Sequence, residues 1–225
     1  MIEARKKAIL YHDKYESLQL SPDQLIEDLA LQNDYGIYTY MIQSDSSRMI
    51  FKCELHVEAT VETWIEKLQD LILIKQMHPK IDDVYVADQI GVDSNILCHT
   101  VKGNFFNRSR DFAYSNNTIR LKNGDAVISR YSVTHSSVPI SSPVRGELNS
   151  FIFLNSIGSN KTHITNIHDV DIKVLEENAD INTKNGSQGL TKRSDDDSNS
   201  LSKLHKVYNP AGYFKLLNTY CSNQG

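Results

Sequence analysis

The sequence predicts an α+β fold built on an antiparallel sheet, and three observations carry that expectation. From Arg48 the hydropathy alternates with period two: Met49, Phe51, Cys53, Leu55 and Val57 share one face, and Arg48, Lys52, Glu54 and His56 the other, the pattern of a half-buried strand. Between Val61 and Lys75 the period becomes helical, with Val61, Trp64, Ile65, Leu68, Leu71 and Ile72 forming one stripe. Six further strand signals then follow without another helix. Meandering strands with helices toward the two ends of the chain are the mark of segregated α and β structure.

In chain order, residues 3–19 read as a helix. Ser21-Pro22-Asp23-Gln24 reads as the start of a second: Ser21 caps it, Pro22 takes the first helical position and Gln24 completes a capping box. Leu25 and Leu29 supply its buried stripe, and Gly36 opens a first strand over Ile37–Ile42. After the Val61–Lys75 helix, which Pro79 prevents from continuing far, strands are expected near Asp82–Gln89, Asn95–Lys102, Asp111–Leu121, Ala126–Thr134, Val144–Leu154 and Lys161–Lys173. Asn123-Gly124 is a type I′ hairpin cue. Residues 176–206 contain five apolar side chains and no aromatic, around the run Asp195-Asp196-Asp197, a composition that predicts disorder. A short final helix carries Tyr213, Phe214, Leu216, Leu217 and Tyr220. The layout is N-terminal helices over 1–34, then one domain over 35–225 with a polar insert at about 176–206.

Composition narrows the functional classes. The 225 residues include 24 Lys+Arg and 28 Asp+Glu, a formal charge of −4, which gives no basic stripe for nucleic acid. The longest aliphatic run, Leu71–Ile74, is far short of the ~20 residues a spanning helix needs. No charged-then-apolar leader opens the chain, so a cytoplasmic protein is expected. Cys53, Cys98 and Cys221 are odd in number and lack CxxC spacing, which fits a reducing compartment.

The sequence carries no recognisable catalytic or metal motif. The eight histidines form no HxxxH pair, and His163 and His168, five apart on an expected strand, point to opposite faces. Cys98 and His99 are strand neighbours and cannot make a nucleophile–base dyad. No GxGxxG, GxxxxGK[ST] or GxSxG occurs. A non-enzymatic protein without metal or cofactor is expected.

The strongest local signal runs from Gly103 to Arg145. Arg110-Asp111-Phe112 opens a strand, Asn123-Gly124-Asp125 turns it, Val127-Ile128-Ser129 returns, and Ser132-Val133, Pro139 and Val144-Arg145-Gly146-Glu147 follow. This order resembles the StAR-related lipid-transfer (START) domain. Asn209-Pro210-Ala211-Gly212, leading into a helix, is similar to the entry of the phosphatidylcholine-transfer-protein branch. The resemblance implies a helix-grip (START/Bet v 1-like) fold, a curved antiparallel sheet wrapped around a C-terminal helix with an internal apolar cavity. It implies a monomeric carrier of one phospholipid or related lipid, in transient peripheral contact with membranes. Arg110, Asp111 and Arg145 match the family's motifs and become head-group candidates together with His78 and His99; a strand-edge ion pair is the structural alternative for Arg110 and Asp111, and a structural salt bridge that for Arg145. Met77, Phe112, Tyr114, Tyr213, Phe214 and Leu217 are expected to line the cavity. Phe105 and Phe106 fall where the family's membrane-touching loop lies.

Departures from the family qualify these expectations. Ile74, Met77 and His78 stand where the choline-binding branch has its arginine and acidic cluster, and Asn116 stands where some members carry an arginine after the RDF motif. A histidine-lined site would gain charge near pH 6.5 and favour anionic head groups in mild acid. The altered lining also motivates an alternative, an interaction or regulatory module whose cavity is small or blocked by Phe112, Tyr114, Phe151 and Phe153.

Overall fold

The computed structural model describes residues 38–43, 48–103, 109–139, 144–173 and 210–222. The helices expected over 1–34 and the insert expected at 176–206 lie outside the described residues. The strands are β1 (Tyr38–Gln43), β2 (Arg48–Val57), β3 (Ile81–Gly91), β4 (Ser94–Val101), β5 (Arg110–Arg120), β6 (Ala126–Ser132), β7 (Glu147–Gly158) and β8 (Lys161–Asp171). Among the described residues they form one antiparallel sheet in the order β1-β2-β8-β7-β6-β5-β4-β3. Pairing of β2 with β8, which sets Cys53 opposite Asn166, joins the first strands to the meander. The edge strand β3 has three register shifts, irregularities that blunt an edge against pairing with another chain.

Residue parity decides which face each side chain serves. Cross-strand registers place Cys53 beside Asn166, Ile152 beside Asn166, and Tyr114 beside Ser132. One face therefore carries the odd residues of β2 and β4 and the even residues of β5 to β8. The helices and the larger apolar cluster lie on this face, where Leu55, Ile128, Leu154 and Ile164 meet Trp64, Leu68, Phe214 and Leu217. Phe151 and Phe153 have the opposite parity and face the convex side, so they do not block the interior as the sequence allowed.

The expected single helix over Val61–Lys75 is two. Helix α1 (Val61–Gln69) starts at Thr60, whose hydroxyl accepts from the Thr63 amide, and it buries Val61, Trp64, Ile65 and Leu68. Asp70 then takes an extended backbone at ψ 99°, its N–H donating to the Glu66 carbonyl while its carboxylate accepts from the Leu73 amide at 3.0 Å. One residue thus closes α1 and opens α2 (Leu71–Met77). In the sequence the apolar stripe runs on through Leu71 and Ile72, which is why periodicity alone joins the two helices. Past the break the buried face shifts to Leu73, and Ile72 is 72% exposed. Helix α3 (Pro210–Ser222) returns at the chain's end and buries Tyr213, Phe214 and Leu217.

The β5–β6 turn also differs from its cue. Gly124 has φ +87° and Lys173 is the one non-glycine with positive φ among the described residues, so Asn123 cannot take the left-handed conformation that type I′ requires. The Gly124 amide donates to Leu121 and the Leu121 amide to Asp125, a longer turn with glycine at its single left-handed position.

Candidate functional site

A cavity with about 100 Å³ of free space lies between the sheet and helices α2 and α3. Strands from β3 round to β8 contribute to its wall, which requires the sheet to curl around it. Much of the wall is apolar: Phe112, Leu148, Ile152 and Val170 come from the sheet, Ile74 from α2 and Phe214 from α3. Period-two alternation aims the sheet residues inward, and the helical repeat does the same for Ile74 and Phe214.

Three histidines face this space. His99 stacks on Phe112, with ring centroids 4.8 Å apart, and its Nδ1 lies 3.3 Å from the Tyr114 hydroxyl. His78 ends α2 and stacks on Tyr213 at 5.3 Å. His168 comes from β8, near Phe51. All three line the cavity and are half-buried, and burial opposes the charged form. Burial, reinforced by neighbouring positive charge, pushes His99 and His168 down to about 3, and burial lowers His78. The gain of charge near pH 6.5 expected from the sequence is therefore corrected: these rings are neutral polar groups at physiological pH.

The cavity's fixed charge comes from other residues. Arg130 on β6 and Lys80 at the β3 entry line it, and no aspartate or glutamate does. Arg130 Nε donates to Asn116 Oδ1 at 3.0 Å and an Nη donates to the Leu68 carbonyl at 2.9 Å. Asn116 is itself held by Asn95, at 3.3 Å. Ser150 donates to Asn166 at 3.1 Å on the neighbouring wall. Asn116 thus holds an arginine from the next strand, directly across from it in the sheet register.

Of the residues singled out in the sequence, His78, His99, Phe112, Tyr114, Tyr213 and Phe214 line the cavity. Met77 and Leu217 are not part of its wall and pack in the core beneath it. Arg110, Asp111 and Arg145 do not line it either. Arg110 is spent at the sheet's end, its Nε donating to the Ile172 carbonyl at 2.7 Å. Asp111 has the wrong parity: it faces the convex side, is fully buried and accepts from Arg145 at 2.7 Å. A backbone bridge links Asp111 to Arg145, and the Gly146 amide donates to the Asp111 carbonyl at 2.9 Å. A methyl group on Gly146 would lie 2.3 Å from the Phe112 ring, so only glycine lets that segment pass. The family-like motif is a structural clasp. Phe105 and Phe106 lie outside the described residues.

Arg130, His168, Asn166 and Ser150 were missed by sequence reasoning. A signal for Arg130 was present: on β6 it shares parity with Ala126 and Ile128, an isolated charge on an inward-facing row. Among the described residues no group of three or more His, Cys, Asp or Glu is placed to hold a metal. Cys98 and Cys53 are buried free thiols, and burial pushes the Cys98 thiol up, away from nucleophilic reactivity.

A sheet curled around a cavity that a C-terminal helix covers defines the helix-grip fold of START and Bet v 1-like domains. Human StAR-related lipid transfer protein 5 has this fold, with a TM-score of 0.58 at 12% identity, over 97% of this chain and 98% of that one. The STAR-related lipid transfer protein of Xanthomonas axonopodis gives 0.57 at 14% identity, over 82% and 91%. The Zhui aromatase/cyclase of Streptomyces sp. R1128 gives 0.50 at 12% identity, over 76% and 93%. No protein-family model and no curated sequence matches the chain, so the likeness rests on structure and concerns the fold. No helix among the described residues is long and apolar enough to cross a membrane.

Proposed function

We propose that the protein is a non-enzymatic lipid-binding domain that holds one lipid between its sheet and α3 and exchanges it with membrane surfaces. The observation that carries this reading is the cavity itself, walled by Phe112, Leu148, Ile152 and Val170 and covered by α3. Each methylene buried there is worth ~0.8 kcal/mol relative to water, about what a bilayer supplies, so exchange is close to neutral and needs no nucleotide. The neutral histidines and buried thiols favour holding a ligand over transforming it. Contact with the bilayer falls to the segment containing Phe105 and Phe106, in a protein of the cytoplasm.

A free space of about 100 Å³ is below the ~300–1,000 Å³ of common ligand pockets, so a two-tailed phospholipid enters only if α3 parts from the sheet. The same observation favours a second reading, an interaction module on this fold whose cavity stays closed. Native mass spectrometry after incubation with mixed phospholipid, lysolipid and fatty-acid vesicles separates the two. A stoichiometric adduct of one lipid is the expected result. A clean ligand-free mass with every mixture overturns the carrier reading in favour of the module.

A further inference from the structure

We propose that the cavity selects a single-tailed amphiphile with an oxyanion head, carboxylate or phosphate, and that Arg130 is the residue that holds this head. The inference rests on the lipid-binding reading and adds the chemistry of the ligand. The chain as a whole is acidic, at −4, yet its cavity wall carries two cations and no carboxylate. Arg130 meets only neutral acceptors, Asn116 Oδ1 and the Leu68 carbonyl, and no ion pair to it occurs among the described residues. Arg130 is half-buried, and a partly desolvated charge gains when an opposite charge meets it. A ligand anion supplies that partner, and the resulting charge-assisted bonds are about twice as strong as neutral ones.

The geometry suits the task. The two existing bonds fix the guanidinium plane through Nε and one Nη, while the side chain lines the free space with further N–H donors to offer. Because Asn116 and Leu68 hold the group before any ligand arrives, little side-chain freedom is lost on binding. Lys80 stands at the entry of β3 and is exposed, a second cation along the approach. His78, His99 and His168 are neutral hydrogen-bonding groups beside the head, and Phe112, Ile152 and Val170 receive the tail. The limited free space favours one chain over two.

The test uses the full chain with four probes: decanoate, decyl phosphate, decanol, and phosphatidylcholine vesicles, with binding read by displacement of a fluorescent apolar dye and by native mass spectrometry. The proposal expects both anions to bind about tenfold or more tighter than decanol, the ratio a charge-assisted bond supplies. Comparable affinity for decanoate and decyl phosphate assigns selection to the charge; a strong preference for one names the head. The Arg130→Gln variant should bring the anion-to-alcohol ratio close to one, and Arg130→Lys should retain part of it; unchanged melting temperatures show that both are folded. Lys80→Gln should lower the anion association rate more than it raises the dissociation rate. Equal binding of decanol and decanoate by the unmodified chain, or an Arg130→Gln ratio unchanged from it, overturns the proposal while leaving lipid binding intact. Selective uptake of phosphatidylcholine also overturns it. Failure of every probe to bind instead defeats the lipid-binding reading on which it rests.

Discussion

On β5, Asp111 and Phe112 are neighbours in the chain and serve opposite surfaces. The convex side holds Asp111, bound to Arg145 and bridged through the backbone to the Arg145-Gly146 segment. The cavity side holds Phe112, Tyr114 and Asn116, the last of these gripping Arg130. The first region pairs its charge within the protein through one contact, with Asp111 Oδ1 and Arg145 Nε left without hydrogen-bond partners, and secures a chain crossing. The second leaves its charge without an ion pair among the described residues. A signature that marks the fold and the proposed ligand site can therefore occupy one strand without sharing a residue.

The comparison breaks first at the clasp. Replacing Arg145 with Met leaves the Asp111 carboxylate, 0% exposed, without its cation, and stability should fall by about 3–5 kcal/mol in urea denaturation. The ratio of decanoate to decanol binding in the folded fraction should not change; a changed ratio would join the two regions functionally. Gly146→Ala drives a methyl group into the buried Phe112 ring and should cost about 3 kcal/mol, the upper end for overpacking. It is the one variant expected to cross from clasp to cavity, so Phe112→Leu in the same chain should recover part of both stability and tail binding, measured as a double-mutant cycle.

Acidity tests the cavity side. His99 and His168 are held near 3 in the folded protein, whereas in the unfolded chain they protonate below about 6.5. The unfolded state therefore takes up more protons as pH falls, and stability is full above about 6.5 and lost progressively toward 3. At pH 5 each histidine accounts for about 2 kcal/mol of that loss. His168→Asn should remove about that amount from the difference in unfolding free energy between pH 7 and pH 5. An undiminished difference would mean that His168 reaches water in the folded state. The smallest effect is expected at the helix junction, where Asp70→Ala removes a cap worth about 1 kcal/mol and should lower the anion-to-alcohol ratio through Leu68.

The sheet was legible in the sequence because alternation survives translation into structure directly: β2 buries the row that its pattern names. Three residues proposed for the site, His99, Phe112 and Tyr114, reached the cavity wall for the same reason, and His78, Tyr213 and Phe214 reached it from the helices. Legibility failed where a motif suggested chemistry that parity contradicts. Asp111 follows Arg110 and precedes Phe112, so it could not share the inward row with Phe112 and Tyr114. Arg130 was hidden for the opposite reason, since no motif contains it and its value depends on Asn116, fourteen positions away, and on a carbonyl freed by a helix break. That break was itself hidden because Leu71 and Ile72 extend the apolar pattern of the sequence past it, although Ile72 is exposed in the structure and Leu73 is buried in its place.

The Asp70 interruption has a consequence for how ligand choice is inherited by the fold. In an unbroken helix across Val61–Met77 the Leu68 carbonyl would be consumed by the amide of residue 72. Interrupted at Asp70, the helix presents that oxygen at its negative end, where a cation is favoured, and Arg130 takes it. The site's charge is thus located by main chain, as a pin is located by its socket. Wall residues can then be exchanged to suit another tail without moving the charge. Shifting the interruption by one residue would rotate a different carbonyl into place and re-aim the guanidinium of the proposed site with no substitution in the cavity itself.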